Sequence, residues 1–261
     1  MRPDLDGAPR VGVVRTKPGW DGGGPPAREG EALHLAAIAA ARRFIYLENQ
    51  YFASPRIAAA LAARLAEPDG PEVVLVVSER SPSFFDSLAM DAPRDALVAR
   101  LRAADRHGRF RAYAPRTAGG RTIIVHSKVA VVDDRLLRIG SANLNSRSGG
   151  YDTECDLAVE APQDGPDGAR VEGAIRRFRE RLMGHYLGVD GATAAAAMEE
   201  EGGLARGIEA LEAASGGPRR LVEVATGGGA GPFRALVAGL HLFDPHGPGD
   251  AWRPWKRRRG R

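Results

Sequence analysis

Apolar positions along this chain alternate between two rhythms. Residues 31–43 carry helical spacing, and FIYLENQYF at 44–52 then reads as a buried strand that ends among polar residues. A second helix is predicted over 55–66, a continuous β-branched strand over 72–78, and a third helix over 92–104. Strand patterns follow at 110–114, 122–134 and 136–141, the last two separated by a tight Asp133-Asp134-Arg135 turn. Polar residues 142–152 predict a loop, 153–161 a strand, and 168–186 a strongly amphipathic helix. Strands alternating with helices imply an α/β fold, a layered α-β-α sandwich with a C-terminal helical extension. The expected division is 1–30 as leader with one short extended piece at 10–16, 31–189 as the sheet domain, 190–245 as the helical extension and 246–261 as a tail. No internal repeat is visible.

Composition narrows the class. Of 261 residues, 43% are hydrophobic and 27% charged, enough apolar material for a sizeable core and too much for wholesale disorder. No run reaches the ~18 apolar residues of a membrane-spanning helix, and the N-terminal residues lack the apolar stretch of a secretory signal. A cytoplasmic location, with contact to a membrane surface at most peripheral, is the expectation. The single cysteine, Cys155, excludes an internal disulfide and a thiolate metal cluster, and reads as a small core residue. The formal charge of +4 resides in the last ten residues, WRPWKRRRGR, which hold six cations and no acid, so the body is near neutral. Only Lys17, Lys128 and Lys256 are lysine among 37 basic residues. A generic surface cation in this chain is an arginine.

That makes Lys128 informative. It lies two residues after His126 in the 122–134 strand, so the two side chains are expected on one face while Val125, Ser127, Val129 and Val131 point the other way. A half-exposed edge strand would explain two polar residues on one face. A compact ammonium beside an imidazole also suits close contact with a phosphate. The spacing extends further: His126, Lys128 and Asp133 form H-x-K-x-x-x-x-D, followed by Gly140, Ser141 and Asn143 in GSAN and by Asp152-Thr153-Glu154. From the chain's own composition the three-residue pattern should occur about 0.004 times by chance, which makes it specific for its length.

This pattern resembles the phospholipase D superfamily, over about residues 10–190. ARRFIYLENQYF at 42–53 resembles the strand opening the second half of two-motif members, and residues 138–159 resemble the phosphatidyl-transferring branch. The resemblance implies phosphodiester hydrolysis or transphosphatidylation on phospholipids through a phosphohistidine, without metal or other cofactor. One imidazole attacks phosphorus while a second protonates the leaving alcohol and later deprotonates the incoming one. His126 is implied to be one of the two, as the general acid. Lys128, Ser141 and Asn143 are implied to hold the non-bridging oxygens, and Glu154 to orient the imidazole. Asp133 is expected to be structural, pairing a nearby cation, with Gly140 as a structural member of the motif. Family members use two such motifs, and this chain has one, since the other five histidines lack the spacing. The second motif is expected from a homodimer mate or from an N-terminal half. A homodimeric nuclease acting on nucleic acid, and a non-catalytic half-enzyme, are the alternative readings.

Four further features stand outside this pattern. Asn49 and Gln50, at the end of the ENQYF strand, are candidates for the mouth of the site or simply for a capped strand end. Phe84, Phe85, Leu88 and Met90 lie in the predicted 78–91 loop, to contact an acyl chain or to cover the core edge. The Gly-rich run at 22–24 lacks the Gly-Lys-Ser/Thr of a phosphate cradle. The basic tail, flanked by Trp252 and Trp255, could meet an anionic bilayer, nucleic-acid phosphates or water alone.

Overall fold

The computed structural model describes residues 9–19, 24–81, 90–163, 166–214, 217–225 and 244. Residues 82–89 of the predicted 78–91 loop, including Phe84, Phe85 and Leu88, and the basic residues at 252–261 lie outside them. Among the described residues the chain forms one mixed sheet of nine strands with helices on both faces. Its centre is β3 (Phe44–Asn49), β4 (Glu72–Val77) and β5 (Phe110–Thr117), all parallel. The crossovers between them are α2 (Pro55–Ala66) and α3 (Ala92–Ala104). Buried on both faces, β3 and β4 read as near-continuous apolar runs. Ile45, Leu47, Val73 and Leu75 pack toward α1 (Glu29–Ala40), α2 and α3. Phe44, Tyr46, Val74 and Val76 face the opposite core, built with α5 (Pro166–Leu187), α6 (Gly191–Glu200) and α7 (Leu204–Ala214). The entry of α2 is set by Ser54, whose side chain caps Ile57 N–H, and by Pro55 in the first turn.

An antiparallel half extends the sheet from β3 through β6 (Val129–Val132), β7 (Leu136–Gly140), β8 (Glu154–Glu160), β1 (Val11–Lys17) and the short β2 (Ala27–Arg28). The predicted tight turn is present: Asp133 and Asp134 have φ of 55° and 58°, and Arg135 N–H bonds to Val132 C=O at 2.9 Å. Two successive left-handed residues suit the twist of a hairpin, and aspartate tolerates that region. β9 (Arg219–Glu223) closes the far edge beside β5. Residues expected as leader therefore donate two strands, β1 and β2, to the common sheet, and those expected as helical extension donate β9.

Three expectations change. The strand predicted over 122–134 is regular only from Val129, with a lone bridge from Thr122 to Arg116 before it. The reason is that β3, the partner of β6, ends at Asn49, one residue beyond the Glu48–Val129 pair. The predicted 142–152 loop contains a short helix, α4 (Ser146–Gly150), whose Ser148 N–H is capped by Asn145. Cys155 is exposed rather than core, because alternation along β8 turns Asp156 inward and Cys155 outward. On that outer face Val11, Val13, Ile139 and Leu157 are exposed, in register across β1, β8 and β7.

Candidate functional site

The C-terminal end of β3, the N-terminal end of β6, the C-terminal end of β7 and the N-terminal end of β8 meet along one rim of the sheet, at the ends of interior strands, because β6 and β8 run opposite to their neighbours. This rim gathers the predicted residues. His126 is exposed, on the irregular stretch just before β6. Lys128 is buried, and its ammonium donates to the His126 carbonyl at 2.9 Å and to Gln50 Oε1 at 3.4 Å. Burial holds the Lys128 ammonium below its usual range; the Glu154 charge acts the other way, and the Arg138 charge adds to the depression.

Across the rim, Ser141 donates its hydroxyl to Glu154 and accepts Cys155 N–H at 3.0 Å. Glu154 also accepts from Ser148 Oγ at 2.7 Å. A carboxylate has about four acceptor sites, so these two hydroxyls leave capacity for an imidazole. Asn143 beside them keeps a buried Oδ1 with no hydrogen-bond partner among the described residues. It lines a cavity of about 10 Å³ with His34, Asn145 and Ser148. Of the two candidates for the mouth, Gln50 reaches Lys128, whereas Asn49 is buried and accepts Leu144 N–H at 3.1 Å and Tyr51 N–H at 3.2 Å. Asn49 ties the strand end to the loop carrying Asn143.

At the other end of the motif Asp133 corrects one expectation. Its carboxylate accepts three backbone N–H groups, from Arg42 at 2.6 Å and from Arg43 and Phe44 at 2.8 Å each, rather than pairing a cation. The neighbouring Asp134 takes the cation, with Arg179 Nε at 2.7 Å. Asp133 thus staples the hairpin to the start of β3. Gly140 is required where it stands: a Cβ there would lie 1.8 Å from Asp156 Oδ1.

Sequence reasoning missed the groups underneath the site. Glu48, fully buried, accepts hydroxyls from Tyr46 at 2.6 Å, Ser127 at 2.6 Å and Tyr186 at 3.1 Å. Ser127 sits between His126 and Lys128, so this carboxylate anchors the segment bearing both. Burial pushes the Glu48 carboxyl up, and the three hydroxyls oppose that shift. The available signal was alternation, which puts Tyr46 and Glu48 on one side of β3. His34, on α1, is buried behind Asn143; burial lowers its imidazole to about 4, with the Arg138 charge adding to the effect. Among the described residues no group of three or more His, Cys, Asp and Glu is placed to hold a metal ion, and no helix is long and apolar enough to cross a membrane.

Residues 34–171, just over half of the chain, match the family model described as cardiolipin synthase, PLD-like domain. A phospholipase D of Phytophthora infestans is 27% identical over 226 residues, covering 69% of this chain and 12% of that protein. Phospholipase D alpha 3 of Arabidopsis thaliana is 42% identical over 71 residues, covering 26% of this chain and 9% of the relative. The chain thus spans about a tenth of the length of these curated relatives. Among solved structures, Nuc of Salmonella typhimurium, a phospholipase D family member, aligns at 20% identity with a TM-score of 0.46, covering 67% of this chain and 95% of Nuc. The phosphatidylserine synthase of Haemophilus influenzae aligns at 18% identity with a TM-score of 0.47, covering 65% and 38%.

Proposed function

The chain belongs to the family of cardiolipin synthase and phospholipase D-like domains, and on that premise we propose that it supplies one catalytic half of a phosphodiesterase or phosphatidyltransferase acting on phospholipids. The observation that carries this reading is the convergence of His126, Lys128, Ser141, Asn143 and Glu154 on one rim of the sheet, with Lys128 fixed by the carbonyl of His126.

The chemistry follows from the groups present. A histidine of the second motif attacks phosphorus, forming a P–N bond as the P–O bond to the leaving alcohol breaks, and His126 gives that alcohol its proton. Water or an alcohol then loses its proton to His126 and displaces the phosphohistidine, returning both imidazoles to their starting states. The Lys128 ammonium, the Ser141 hydroxyl and the Asn143 amide stabilise the charge that shifts onto the non-bridging oxygens. Glu154 accepts the other ring nitrogen of His126 and holds its orientation. The second imidazole comes from another copy of the chain or from another segment with the same motif. The exposed apolar row of Val11, Val13, Ile139 and Leu157 beside the rim supports a covering partner there.

Two measurements on one sample test this. Light scattering reports solution mass, and release of a chromogenic phosphodiester's leaving group reports activity, with and without phospholipid vesicles. A dimer active on vesicles and silenced by His126→Ala is the result expected if another copy supplies the second imidazole, and an inactive monomer that gains such activity with the missing segment is the result expected if another segment does. Activity that survives His126→Ala at matched stability overturns the assignment. Preference for nucleic acid, with affinity falling steeply as salt rises, moves the substrate class to nucleases.

A further inference from the structure

Beneath the phosphate-gripping residues lies a buried ion pair that the proposed chemistry does not use. Arg138 on β7 and Asp156 on β8 meet at 2.7 Å with side chains 2% and 1% exposed, on the sheet face covered by α1. Burying two charges costs several kcal/mol per ion before their attraction is counted, and an apolar pair of similar volume is often at least as stable. Stability alone gives no reason for charge here.

Their other contacts do. Asp156 Oδ1 accepts Ala142 N–H at 3.1 Å, and Arg138 Nη2 donates to Ala142 C=O at 2.9 Å. Both polar groups of Ala142 are thereby held from below, and Ala142 stands between Ser141 and Asn143. Two glycines make room for the arrangement. A Cβ on Gly140 would lie 1.8 Å from Asp156 Oδ1, and one on Gly30 of α1 would lie 3.3 Å from Asp156 Oδ2. The Arg138 guanidinium still has Nε and Nη1 without hydrogen-bond partners among the described residues. Its charge also reaches Lys128, which faces the same way two residues before Ala130, the cross-strand partner of Arg138.

We infer that Arg138 and Asp156 are positioning residues: they clamp the Ala142 backbone so that Ser141 and Asn143 are held at the spacing a phosphate requires. This rests on the reading of those two residues as phosphate ligands. The test uses the full chain and inorganic phosphate, followed by 31P and 1H–15N NMR. The double variant Arg138→Met with Asp156→Leu replaces the pair by apolar groups of similar size, and the expected outcome is a folded protein with little change in Tm. Its Ala142 amide should exchange rapidly with solvent, and its phosphate affinity should fall at least about tenfold, since each fixed donor to an anion contributes on that scale. Asp156→Asn, which keeps an oxygen for Ala142 N–H, should recover part of the affinity; a purely space-filling role would not produce that order.

A folded double variant that binds phosphate as wild type does overturns the clamp and leaves the phosphate reading intact. Wild type that binds no phosphate at the Ser141 and Asn143 amides sinks that reading and the inference with it. Should the double variant not fold, Arg138→Lys decides: it keeps the charge, but its stem ends about one bond short of Nη2, the single nitrogen that meets both Asp156 and Ala142 C=O, and unchanged phosphate affinity there overturns the clamp.

Discussion

The two ends of the H-x-K-x-x-x-x-D motif stand only a short strand apart and use charge in opposite ways. At the Asp133 end everything is satisfied internally: three amides fill one carboxylate, and Arg179 meets the other carboxylate, Asp134. At the His126 end the groups are held by their backbones and left available. The imidazole is exposed, and the ammonium is fixed by carbonyl-type acceptors with no salt bridge among the described residues. Buried polar groups that are fully paired rigidify a fold, while unpaired ones near a surface are candidates for a ligand. One motif thus contains a structural end and, on the proposed reading, a reactive end.

That contrast can be broken by substitution. The largest effect is expected at the reactive end: His126→Ala in the active assembly should lower turnover by about two to four orders of magnitude at unchanged Tm, measured by leaving-group release. Lys128→Arg should cost about a hundredfold, because a planar fork cannot replace an ammonium seated under the His126 carbonyl; near-normal turnover would remove Lys128 from phosphate contact.

Acid should act through His34. The unfolded imidazole takes up a proton near 6.5 and the folded one stays neutral down to about 4, so stability is fully present above 6.5 and is lost as pH falls toward 4. The loss attributable to this group is about 3 kcal/mol, to be read as the difference in urea unfolding between wild type and His34→Leu across that window. If the two lose stability in parallel, His34 is not the source. The smallest effect belongs to the structural end. Asp133→Asn should destabilise by about 2 kcal/mol while turnover per folded molecule holds, and a variant that loses activity without losing stability would erase the distinction between the ends.

Much of this was legible beforehand. The helices at 55–66 and 92–104 match α2 and α3 because their apolar spacing is local information, and the Asp133-Asp134 turn was visible because it lies between two apolar strand runs. His126, Lys128, Ser141, Asn143 and Glu154 could be picked out by spacing, since β6, a hairpin turn and β7 are short enough to return the chain to the same rim. Arg138 could not. In a chain whose cations are nearly all arginine, one more arginine in a strand reads as a surface charge, yet it is among the largest fully buried side chains. Cys155 erred in the other direction, its apolar character suggesting burial where strand parity placed it outward.

The sequence by itself determined the alternation of strands and helices and the α/β class, because periodicity is a property of neighbours along the chain, and its H-x-K-x-x-x-x-D pattern singled out, through a family resemblance, the residues proposed for the chemistry. Only the tertiary structure decided which charges are spent on the fold. Whether Glu48, Asp133, Arg138 or Asp156 meets water or another chain segment depends on strands and helices that pack from far along the sequence, and the desolvation cost of each group is set by those partners.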